Sequence, residues 1–219
     1  MAEALPTAYW EAQARKFYPM DNPEMREEYP GFADWRAALL NASAAWHDST
    51  EEEPGWQPLL TDLSSIPLEH VPVRAGIYPC LEVHFRFPSF SQLPPYLRVL
   101  RTLNLKISLL VPYYTAYMDV VTRVNTGMRI GSREVENVVG KQYVGEANLQ
   151  EDERRIWEAM LPMVQRHFGE WQFLHHAALC TTEIPGAVPY TNWPEDKPAF
   201  TVHDLFFETI HSSKVIILD

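Results

Sequence analysis

A chain of 219 residues, 46% hydrophobic and 21% charged, has the composition of a folded globular protein and not that of a disordered one. Eighteen Lys and Arg against 29 Asp and Glu leave a formal charge of −11. A field of that sign repels a phosphate backbone, so nucleic acid is not an expected partner, whereas a basic protein is electrostatically admitted. No stretch approaches the run of about 18 apolar residues that a membrane span requires, so no membrane partner is expected. The opening MAEALP lacks the basic and apolar regions of a secretory signal, and two cysteines in so long a chain fit a reducing compartment. The expected location is therefore cytoplasmic.

Residues 7–18, TAYWEAQARKFY, place Tyr9, Trp10, Ala14, Phe17 and Tyr18 on one helical stripe. Asp21-Asn22-Pro23-Glu24 then offers an N-cap followed by proline at the first helical position. The stripe Phe32, Trp35, Leu39, Ala42, Trp46 predicts a second helix ending near His47. Residues 48–55, DSTEEEPG, read as an acidic loop. From Leu81 the period changes to two: Leu81, Val83, Phe85 and Phe87 alternate with Glu82, His84 and Arg86, the pattern of a half-buried strand. Residues 91–104 are compatible with a short helix. Residues 105–111 and 113–124, rich in β-branched and aromatic types, predict two further strands, with Pro112 at a bulge or edge. Short connections favour antiparallel pairing.

Asn148-Leu149-Gln150-Glu151 fits a capping box with Asn148 as the cap, opening a long helix whose apolar face is Ile156, Trp157, Met160, Leu161, Val164 and Phe168. Pro162 should kink that helix or remove one of its hydrogen bonds, unless the helix is two pieces, and Arg166 and His167 before Gly169 should end it. TVHDLFFETI and KVIILD flank His211-Ser212-Ser213 as a closing hairpin. The expected whole is a single α+β domain over 1–219. Residues 1–47 supply N-terminal helices, and residues 81–219 supply an antiparallel β-sheet with one long amphipathic helix packed on it.

Chemistry concentrates at 174–180, LHHAALC. In a helix, positions four apart lie about 5–6 Å from each other and can chelate one ion. In a strand the same four steps span about 13 Å, too far for a zinc held at about 2.0–2.3 Å. The chain after Gly169 reads as helix or strand with equal force. Cys80 and His84 fall on a strand and so cannot share an ion. A structural zinc needs four ligands, and the expectation is that the protein holds no metal and no cofactor. The alternative is a hydrolase or metal-assisted enzyme built on His175, His176, Cys180 and His203. The sequence carries no G-x-S-x-G elbow, phosphate loop, G-x-G-x-x-G fingerprint or H-E-x-x-H helix.

With the 113–124 strand in register, Tyr114, Ala116, Met118, Val120 and Val124 point to one side as core. Tyr113, Thr115, Tyr117, Asp119 and Arg123 point to the other, beside Glu82, His84 and Arg86 of the earlier strand. Tyrosine and arginine are enriched at interface hot spots because each joins a large contact area to a polar end. Tyr113, Tyr117, Asp119, Arg123, Glu82, His84 and Arg86 are thus the expected partner-binding face. The expected function is a non-catalytic cytosolic protein-interaction module, an acidic adaptor or an immunity-type neutraliser of another, possibly basic, protein.

Overall fold

Strict alternation of apolar and polar residues in the middle of the chain builds the element around which everything else is arranged, a mostly antiparallel sheet with helices on both faces. The computed structural model describes residues 5–21, 28–48, 55–68, 70–73, 79–88, 93–94, 96–130, 133–190, 199–207 and 216–218. In chain order the elements are α1 (Thr7–Phe17), α2 (Gly31–Asp48), α3 (Trp56–Leu63), β1 (His70–Val73), β2 (Cys80–Arg86), β3 (Leu97–Ser108), β4 (Tyr113–Ile130) and β5 (Arg133–Val144). There follow α4 (Glu151–His167), β6 (Gln172–Phe173), α5 (His176–Thr181), β7 (Glu183–Ile184), β8 (Phe200–Thr201), α6 (Val202–Phe206) and β9 (Ile216–Leu218). Strands β1 to β5 form an antiparallel meander in chain order, and β9 joins β5 in parallel. β6 pairs with the start of β4, also in parallel, and β7 with β8 makes a separate two-stranded sheet. The α+β class expected from the sequence is the class observed.

One sheet face carries Leu81, Val83, Phe85, Leu103, Leu105, Ile107, Tyr114, Ala116, Met118 and Val120. It packs on Trp56, Leu59 and Leu63 of α3 and on Trp157, Met160 and Val164 of α4. Full burial of each such aliphatic side chain is worth about 1.5–3 kcal/mol. Across the sheet a second core gathers Trp10 and Ala14 of α1, Trp35 and Leu39 of α2, Leu179 of α5, and Val202, Leu205 and Phe206 of α6. Arg101 of β3 and the buried Glu153 of α4 form a two-pronged ion pair that fixes α4 on its face.

Several elements differ from the expectations. Leu97–Ser108 is one continuous strand, so residues 97–104 are not helical; pairing with β4 along almost its whole length overrides a composition a helix would accept. The strand begun at Tyr113 runs on to Ile130, and β5, α3 and β1 were not foreseen. Helix α2 starts at Gly31, where a Cβ would collide with the carbonyl of Lys16 at the end of α1. The proposed cap at 22–24 and the acidic loop at 49–54 lie outside the described residues, and Asp48 belongs to α2. The cap of α4 is Gln150, whose N–H donates to Glu153 Oε2 at 2.8 Å, while Asn148 closes a 3-10 turn. Pro162 is exposed within an unbroken α4. The closing hairpin is corrected at its two arms, its turn at His211-Ser212-Ser213 lying outside the described residues. Thr201 and Asp204 cap α6 reciprocally, so 202–206 coil, and Ile216–Leu218 returns to the edge of β5. Among the described residues no helix is long and apolar enough to cross a membrane.

Candidate functional site

The register of the meander stacks polar side chains into rungs. Glu82 lies beside Lys106 and Thr115, His84 beside Asn104 and Tyr117, and Arg86 beside Thr102, Asp119 and Tyr143. Lys106 is only 2% exposed. Its Nζ sits 3.2 Å from Glu82 Oε1, donates to the carbonyl of Phe207 at 3.4 Å and lies 5.9 Å from the Tyr117 ring centre. His84 Nε2 approaches the same Glu82 oxygen at 2.7 Å. Burial pushes the Glu82 carboxyl up most strongly, but the Lys106 charge and the His84 contact outweigh it and hold the group below its ordinary range. Thr115 donates to the Leu174 carbonyl at 2.8 Å and the Cys80 thiol to that of Phe207 at 2.8 Å.

Where it carries Tyr113, Thr115, Tyr117, Asn104 and Lys106, this side of the sheet is interior and not an open surface. Tyr113 packs against Trp10 of α1, and its hydroxyl donates to Tyr9 at 2.9 Å. Burial first, and then that bond, push its phenol up to about 12. Tyr117 is covered by the ring of His176, stacked at 3.6 Å. Of the seven residues expected to meet a partner, Tyr113 and Tyr117 are buried, Glu82, His84, Asp119 and Arg123 are half-buried, and Arg86 alone is exposed. The two tyrosines, which carried the interface expectation, are therefore out of a partner's reach.

The segment after Gly169 takes both forms left open by the sequence: a two-residue strand, then a helix beginning at His176. Helical spacing brings Cys180 Sγ to 3.3 Å from His176 Nε2, so these two groups meet, whereas Cys80 and His84 lie on a strand. His203 of α6 stands edge-on to His176 with ring centres 4.6 Å apart, and Tyr143 does the same at 4.7 Å. His175 is exposed and turns its ring edge to Phe173 instead. Three of the four candidate ligands thus gather. Among the described residues no group of three or more His, Cys, Asp or Glu is arranged to hold a metal ion. Burial, and then the positive fields of Lys106 and Lys141, hold the His176 pKa well below that of a free histidine. An imidazolium at His176 is therefore opposed by its surroundings.

A cavity opens beside this cluster for a topological reason. Strand β3 occupies one edge of β4 along Tyr114–Val124; on the other edge β5 departs at Met118 and β6 arrives at Tyr114. Between them, among the described residues, no strand pairs with that edge of β4 at Ala116 and Tyr117, which leaves a notch. The resulting cavity has a volume of about 490 Å³ and is walled by the rings of Tyr117, Tyr143, Trp157 and Phe173. His175, His176 and Ala177 close one side, and Glu146, Ala147 and Arg154 another. Sequence reasoning singled out Tyr117, His175 and His176 but assigned Trp157 to the core and passed over Arg154, Tyr143 and Phe173. The available signal was Arg154 and Trp157 three apart on one helix, which places them on a common side. Comparison of the chain with protein-family models, with curated proteins and with solved structures finds no match.

Proposed function

We propose that the protein is a non-catalytic binding module that holds a small, largely apolar molecule in the cavity between β5 and β6. The observation that carries this is the cavity itself, about 490 Å³ with four aromatic rings in its wall. That volume falls within the range of about 300–1,000 Å³ used for small ligands, and ring walls favour a planar body by stacking and edge contacts. A protein partner on the sheet face has lost the two tyrosines that made it attractive.

A neutral two-ring probe, 2-naphthamide, tests the proposal by isothermal titration calorimetry. Saturable one-to-one binding is expected. Ala177→Trp, which fills the cavity from α5, should weaken it at least tenfold, and Ala147→Trp, placed on an exposed lining residue, should do the same if the first variant folds poorly. Absence of saturable binding, or equal binding by native and filled proteins, overturns the proposal.

A further inference from the structure

Taking the cavity as a binding site, on which this step rests, we infer that its ligand is a planar monocarboxylate and that Arg154 receives the carboxylate. Arg154 lines the cavity, is half-buried, and among the described residues has no carboxylate within ion-pair range. The other arginines on or against α4 are engaged by the chain's own acids. Arg101 holds Glu153, Arg155 holds Glu151 and Asp152, and Arg166 holds Asp62 at 2.7 Å. Among the described residues Arg154 thus differs from its neighbours in having no acid of the chain against it, and it stands beside aromatic rings with its donors available to an acid from outside.

The chemistry of the group sets the class of ligand. A guanidinium presents parallel N–H donors in a rigid fork that matches a carboxylate with two bonds, and partial burial strengthens the attraction over its value in water. Glu146, exposed on the same lining, repels further negative charge, which disfavours dicarboxylates and phosphate monoesters. The rings of Tyr143, Trp157 and Phe173 take the apolar body. One carboxylate on a flat hydrocarbon frame satisfies all three conditions.

The test compares 2-naphthoate with 2-naphthamide, the same frame with and without charge, by calorimetry on the full chain. Native protein should bind the naphthoate at least tenfold more tightly, with the preference shrinking as salt is raised. Arg154→Gln should bring the affinities of the two probes within about twofold of each other, and circular dichroism checks its fold. Arg154→Lys should keep only part of the preference, because an ammonium lacks the fork. Equal binding of both probes by native protein overturns the carboxylate and leaves the cavity proposal standing. Binding of neither removes both, and a preference that survives Arg154→Gln overturns the role of Arg154.

Discussion

Lys106 is held inside the protein by three neighbours at once: the Glu82 carboxylate, the Phe207 carbonyl and the face of Tyr117. Removing the ammonium leaves the Glu82 carboxylate, 13% exposed, without the cation beside it. Lys106→Met should therefore cost about 3–5 kcal/mol in urea unfolding, while Lys106→Met with Glu82→Leu should recover most of the loss, because the second change removes the stranded charge. A single variant as stable as the native protein would contradict this. His176 makes a pH prediction at the same scale. Its pKa in the fold lies below the 6.5 of a free histidine, so below pH 6.5 the unfolded chain binds a proton that the folded one refuses. Stability is therefore complete above that value and declines as the pH falls, by up to about 1.4 kcal/mol per unit. The lowered carboxyls of Glu82 and Asp62 contribute their losses only in more acid solution, below their ordinary range. Urea midpoints between pH 7.5 and 5.5 should fall for the native protein, and His176→Phe should flatten the slope by about one proton; unchanged slopes would show that His176 titrates normally.

At the scale of elements, α4 tolerates a proline because its packed face, and not its backbone bonding, holds it in place. Pro162 is exposed and deprives the Glu158 carbonyl of its helical donor. Pro162→Ala should restore that bond and raise the unfolding free energy by about 2 kcal/mol, the helical gain less the freedom returned to the unfolded chain. A loss of stability would mean that the ring itself is needed for packing. Legibility followed the same logic. α1, α4, β2 and the first half of β4 were visible because their apolar periods are local and uninterrupted. β5 was not, since the irregular pairing between Thr122/Arg123 and Val138/Gly140 breaks its alternation. α6 has five residues, too few for a periodic signal, and only the Thr201 and Asp204 cap announces it. The helix expected within 91–104 failed because strand pairing, a non-local term, decided the state of residues 97–104.

For the molecule as a whole, helices on both sides of one sheet explain why the residues of the candidate site were harder to find than the fold. The polar side of β2 and β4 could be listed from the sequence, but its burial depends on α1, α5 and α6, which return to it from both ends of the chain. The notch is further removed still, because it exists only as the difference between where β5 leaves β4 and where β6 joins it. That gap opens the cavity beside Ala116 and Tyr117, where we propose that a small molecule binds. A nuclear magnetic resonance titration of the native chain with 2-naphthamide locates binding directly. We expect amide and indole shifts confined to residues 116–117, 143–147, 157 and 173–177; shifts centred on Arg86 and Arg123, or none at saturating probe, would contradict it.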